Sequence, residues 1–200
     1  MHRIFFLVCV AIFTVFGTVT VFAQEAAMND TLKTIFSRKS VREYQEKPVS
    51  EEKLMMLVRA GMAAPTAVDR RPWDFILITD KTVLRKLADA LPYAKMARQA
   101  AAAIVVTGDL KRQFGGEGAS YWMLDCSAAT ENILLAAESL GLGAVWTSVF
   151  PEKDRMAAAR KILGIPGHVV PLNLIPIGIP AGAVQAKDKF NAGQIHRDRW

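Results

Sequence analysis

The stretch Ala63-Ala64-Pro65-Thr66-Ala67-Val68-Asp69-Arg70-Arg71-Pro72-Trp73-Asp74-Phe75 joins two patterns of different period. Upstream, Pro48-Val49-Ser50-Glu51-Glu52 opens a helix with acids in its first turn, where they complement the helix dipole. Leu54, Leu57, Val58 and Met62 supply its buried face, and Pro65 stops it. Downstream, Trp73 to Thr79 is rich in β-forming side chains and reads as a strand. The residues between are a connection from a helix into a sheet.

Working outward towards the C-terminus, Asp80 caps a helix carrying Leu84, Leu87 and Leu91, and the apolar run from Ala102 to Thr107 is a second strand. Ala119 to Leu140 is the longest helical pattern, with Leu124, Ala128, Ile133, Leu134, Ala137 and Leu140 near helical spacing and Gly141 at its end. Ala144 to Val149 reads as a third strand. Glu152 to Leu163 is a helix ended by Gly164, and Val169 to Ile179 is a fourth, proline-punctuated strand. Towards the N-terminus, Asp30 is the expected cap of a short helix with Leu32, Ile35 and Phe36 on one face, and Ser37 to Tyr44 leaves that helix. Helices first, then strands alternating with helices, predict an α+β fold around a small mixed central sheet flanked by helices.

Residues 1–23 stand apart. Met1-His2-Arg3 is a short basic start followed by an apolar run, and Val21-Phe22-Ala23 has side chains that a signal peptidase accepts. We expect a signal peptide over 1–23, a single domain over 24–200, and an exported, periplasmic protein. The alternative is an uncleaved anchor in the envelope, since Ile4 to Ala23 is about as long as a bilayer span. No twin arginine precedes the run, so a cofactor would be acquired after export.

Without that segment the chain keeps 24 basic and 19 acidic residues and one cysteine, Cys126, which excludes a disulfide framework within the chain. Cys126 sits among Leu124, Ala128 and Ala129 and reads as a small buried apolar residue. Gly115-Gly116-Glu117-Gly118 follows no strand-turn-helix order, so it reads as a loop and not a dinucleotide fingerprint. Beyond residue 23 only His168 and His196 accompany the lone cysteine, so no metal centre is expected. The basic residues lack aromatic interleaving and a nucleic-acid module. What remains is a set of cations suited to phosphate: Arg38, Lys39 and Arg42 near one end, with Ser40 between them, and Lys187 and Lys189 near the other.

Arg38-Lys39-Ser40-Val41-Arg42-Glu43-Tyr44 resembles the arginine-serine-arginine opening of the FMN-dependent nitroreductase family. The stretch from Ala63 to Phe75 resembles that family's proline, asparagine, glutamine, proline, tryptophan signature. Asp125 to Pro151 resembles its central helix and following strand, and Gly178, Pro180, Lys187 and Lys189 its closing glycine-proline and basic pair. Together these segments cover nearly all of residues 30–200.

The resemblance implies a homodimer with FMN at the subunit interface and a C-terminal extension wrapped onto the partner. It also implies two-electron transfer from NADH or NADPH to a nitroaromatic, a quinone or a similar small acceptor. By the same resemblance, Arg38, Lys39, Ser40, Lys187 and Lys189 surround the phosphate and ribityl chain, and Arg42 lies towards the flavin pyrimidine. Pro65, Thr66, Ala67 and Asp69 approach from the other subunit, and Trp146, Thr147 and Ser148 lie near the ring edge. Asp69 and Arg71 stand where the family usually has asparagine and glutamine, which predicts a shifted flavin potential. No side chain is required as acid or base, because the flavin carries the chemistry. Export favours a second reading, a flavin-binding or electron-carrying protein that does not turn over NAD(P)H, because nicotinamides are scarce outside the cytoplasm.

Overall fold

The computed structural model describes residues 28–115 and 119–200. Residues 1–23, expected to be a signal peptide, lie outside the described residues, as do Gly116, Glu117 and Gly118.

The centre of the fold is the strand β5, Val169–Gly178, ten residues that are all buried. Strand β2, Ala102–Asp109, lies antiparallel to it, and β1, Trp73–Ile78, lies antiparallel to β2 on the outside. On its other edge β5 pairs antiparallel with two short strands, β3 (Gly143–Ala144) and β4 (Thr147–Ser148). The predicted continuous strand from Ala144 to Val149 is thus two two-residue pieces, broken at Val145 and Trp146. The mixed character of the sheet comes from one parallel bridge, Ser40 to Ala144.

Alternation along β2 shows why both faces are apolar. Ala102, Ile104 and Val106 enter one core with Leu54, Leu57, Ile133 and Ala137, whereas Ala103 and Val105 enter a second with Leu84, Leu87 and Ala159. Helices α2 (Glu51–Met62) and α4 (Tyr121–Ser139) therefore cover one face, and α3 (Lys81–Ala90) and α5 (Lys153–Leu163) the other. A sheet covered on both sides needs apolar side chains in both directions, hence the unbroken hydrophobic runs in the sequence. Pro171 is tolerated in the middle of β5 because the ladder shifts beside it: Val106 faces Asn173 and Thr107 faces Pro171. The residue skipped, Leu172, gives its carbonyl to the N–H groups of Val149 and Phe150, both at 3.0 Å.

Asp80 caps α3 as expected, accepting from Thr82 N and Val83 N, and within the expected helix start Ser50 is the cap of α2, accepting from Lys53 N. The first helix, α1 (Asp30–Ser37), differs by one residue: Asn29 is its cap and accepts from Leu32 N, so Asp30 is its first helical residue. Met62 and Leu124, expected inside, are 54% and 67% exposed. Leu32, Ile35 and Phe36 are also exposed. Periodicity assigns these residues to an apolar face, but nothing among the described residues covers it.

Candidate active site

The segment after α1 is bound to the sheet by alternate residues. Val41 is buried and donates its N–H to the Ala144 carbonyl at 3.0 Å; Gln45 donates to Ile179 at 2.8 Å. The Tyr44 hydroxyl lies 2.8 Å from the Val41 carbonyl and 3.1 Å from that of Pro176, and burial pushes its pKa well up from the ordinary value. Two glycines make room for this seam: a Cβ on Gly143 would come within 2.6 Å of Val41 Cγ1, and one on Gly178 within 2.8 Å of the Tyr44 ring. With Val41 and Tyr44 turned inward, Arg42 is turned out.

Arg42 forms one wall of a cavity of about 580 Å³. Val145, Trp146, Thr147 and Ser148, the broken edge of the sheet, form a second wall; Tyr93, Lys95 and Met96 belong to a third. Thr147 is fixed there by donating its hydroxyl to Leu174 O at 2.6 Å, and Trp146 both lines the cavity and packs on the core. The structure therefore brings together four of the predicted site residues: Arg42, Trp146, Thr147 and Ser148.

The other predicted residues lie elsewhere. Arg38 Nε is 3.3 Å from Glu131 Oε1, and Lys39 Nζ is 2.6 Å from Glu138 Oε1, so both are drawn onto α4. Ser40 bridges to Ala144 at the sheet edge. Lys187 and Lys189 belong to the tail, residues 181–200, which is exposed along its whole length after Ala181 N bonds to Glu43 O.

Pro65, Thr66, Ala67 and Asp69 form a separate loop, and none of them lines the cavity. Its backbone is unusual: Val68, Asp69 and Arg71 have φ of 44°, 56° and 49°, a left-handed region that costs a non-glycine residue roughly 1–2 kcal/mol. Side chains compensate. Asp125 Oδ1 accepts the Ala67 N–H at 2.9 Å, Thr66 Oγ1 accepts the Arg71 N–H at 3.2 Å, and Arg112 Nη1 donates to the Arg71 carbonyl at 3.1 Å. Arg112 itself is held by Asp109, at 2.9 Å, and by Asp74. Arg71 grips Asp69 through two bonds of 2.7 and 2.5 Å. The Arg71 guanidinium holds the Asp69 carboxyl below its usual pKa, and Asp69 in turn raises that of Arg71.

Asp125 was named only as the start of the segment resembling the family's central helix, and Arg112 carried no sequence signal because its partners Arg71, Trp73 and Asp74 are 38 to 41 residues away. Cys126 donates weakly to Thr107 O at 3.5 Å, and burial pushes its thiol up to about 12, so it stays neutral.

The sequence pattern of the nitroreductase family matches residues 35–92 and 89–179. A protein of Methanothermobacter thermautotrophicus, provisionally named an NADH dehydrogenase/NAD(P)H nitroreductase, is 42% identical over 171 residues, covering 86% of this chain and 88% of that protein. A crystal structure from Parabacteroides distasonis ATCC 8503 with the same provisional name is 51% identical with a TM-score of 0.82, covering 86% of this chain and all of that one. An FMN-dependent nitroreductase from Clostridium difficile R20291 is 26% identical with a TM-score of 0.76, covering 84% of this chain and 98% of that one. With a matching pattern over most of its length and a fold superposable on these structures, this chain belongs to the nitroreductase family.

Proposed function

We propose that this protein is an FMN-dependent NAD(P)H oxidoreductase that reduces small aromatic acceptors, nitroaromatics or quinones, as a homodimer. The observation that carries this reading is the cavity beside Arg42: its volume suits a cofactor ring, its second wall is the broken sheet edge, and every charged residue lining it is a cation. Such a site fits an electron-accepting ring that gains negative charge.

FMN, when bound, supplies two-electron transfer between a nicotinamide donor and the acceptor. The chain supplies binding and electrostatics. Arg42 faces the pyrimidine end and favours negative charge there. Ser40, Lys187 and Lys189 hold phosphate and ribityl oxygens. Arg38 contributes the guanidinium donors left over from its bond to Glu131. Lys39, already bonded to Glu138, acts at a distance as charge alone. Pro65, Thr66, Ala67 and Asp69 serve the flavin of the other subunit, which agrees with their absence from the cavity of their own chain. There the Asp69–Arg71 pair replaces two neutral amides and adjusts the potential.

Residues 1–23 act as a signal peptide and send the protein to the periplasm. Mature protein then begins at Gln24; a purified chain whose N-terminus falls within residues 1–20 overturns the cleavage. For the activity, holoprotein shows a flavin spectrum that NADH or NADPH bleaches without oxygen and that an added quinone restores. Protein with no flavin, or with flavin that neither donor bleaches, overturns the enzyme reading.

A further inference from the structure

Arg155 stands at the edge of the same cavity, in the first turn of α5, where the positive end of the helix dipole disfavours a cation. Its guanidinium carbon lies 5.0 Å over the centre of the Tyr93 ring, and its Nη1 is 3.4 Å from the Ser148 carbonyl. Both holders are neutral. Among the described residues no carboxylate is ion-paired with Arg155, in contrast to Arg38, Arg71, Arg98 and Arg112. Its acidic neighbours in sequence, Glu152 and Asp154, line an adjoining depression that Arg155 also borders, but neither lines this cavity or is ion-paired with Arg155. Tyr93 is 68% exposed, so one large aromatic surface remains open at the mouth.

A guanidinium oriented by a ring and a carbonyl, in a cavity lined by two further cations and no acid and without an ion-paired carboxylate among the described residues, lacks its counter-charge there. We propose that Arg155, braced by Tyr93, selects acceptors that carry an anionic substituent, a carboxylate or sulfonate, on a planar aromatic ring. This rests on the oxidoreductase reading above. In the reaction, NAD(P)H and one proton convert the quinone to its hydroquinone with release of NAD(P)⁺. Arg155 takes no part in that exchange; it orients the substituent by a charge-assisted bond while the ring lies towards Tyr93.

The test compares 1,4-naphthoquinone-2-sulfonate with neutral 2-methyl-1,4-naphthoquinone on holoprotein and on its Arg155→Met, Arg155→Lys and Tyr93→Leu variants. The ratio of kcat/KM, sulfonated over neutral, falls about tenfold in Arg155→Met, the size of one such bond. Most of the change appears in KM, Arg155→Lys restores part of it, Tyr93→Leu loses part of it, and salt narrows the difference. Calorimetric binding of the sulfonated quinone to oxidised protein weakens in parallel. An unchanged ratio with unchanged calorimetric binding overturns the proposal. So does an equal loss for both quinones with a lowered flavin potential, which would assign Arg155 to the flavin. So does slower bleaching by NADPH at a constant quinone ratio, which would assign it to the donor. If no quinone is reduced at all, the oxidoreductase reading fails, and calorimetry alone still decides whether Arg155 selects the anion.

Discussion

Asp125 Oδ1 accepts the N–H of Ala67 at 2.9 Å across 58 positions of sequence, while its Oδ2 is buried with no hydrogen-bond partner among the described residues. A 5% exposed carboxylate on the apolar side of α4 is tolerated because it holds a loop whose backbone is otherwise unfavourable. Replacing Asp125 by Ala leaves the Ala67 N–H without an acceptor and lowers stability by about 1–3 kcal/mol in urea titration. Hydrogen exchange at Ala67 accelerates. Asp125→Asn, which still presents an oxygen, loses less.

Gly143 is a steric condition for the position of Arg42. A methyl group there meets Val41 at 2.6 Å, and Val41 is one residue from the outward-facing arginine. Gly143→Ala therefore displaces the segment and raises the Kd for FMN about tenfold or more, read by flavin fluorescence, with a stability loss of roughly 1–3 kcal/mol.

Arg42 and Lys39 separate by the same measurement. Lys39 is bonded to Glu138 at 2.6 Å, whereas Arg42 faces the cavity. Arg42→Ala weakens FMN binding about tenfold, as expected for a charge-assisted contact, and Lys39→Ala by less than about threefold.

The Asp69–Arg71 pair is exposed, so its effect on the flavin is modest. In the proposed dimer, where Asp69 lies near the partner's flavin, Asp69→Asn removes negative charge and raises the midpoint potential; Arg71→Ala lowers it. Redox titration of both variants checks the opposite signs.

Cys126 links stability to alkaline pH. Burial, assisted by the nearby Asp125 charge, lifts its thiol from 9.0 to about 12. The neutral thiol is favoured in the folded chain, so its contribution is complete below about pH 9 and disappears as pH rises from 9 through 12. The Tyr44 hydroxyl, also raised, acts in the same direction. Urea midpoints fall over that range, and Cys126→Ala falls less.

The order of helices and strands, the helix start at Pro48 to Glu52 and the cap at Asp80 were legible because each depends on near neighbours in the chain. The place of Arg42 was read from the resemblance and not from its neighbours; the structure turns it outward while Val41 and Tyr44 are buried. Lys39 looked equivalent to Arg38 and Arg42 because charge says nothing about which carboxylate is near; Glu138 is 99 positions away. Leu124 and Met62 fit their stripes but lie exposed. The break at Val145 and Trp146 was hidden because an apolar run has the same composition whether its ladder is continuous or interrupted. Arg155 and Tyr93 are neighbours only after α3 and α5 have packed on the same face of the sheet.

The 65–69 loop and the Arg42 cavity lie apart on the same chain; in the proposed homodimer each is a portion of a site that two chains complete. A subunit damaged at Arg42 and another damaged at the loop are therefore not equivalent losses. Refolded together, they generate hybrid pairs in which one composite site has both portions intact and the other has neither. Complementation in vitro follows: two inactive preparations regain activity on mixing, up to one working centre per hybrid pair.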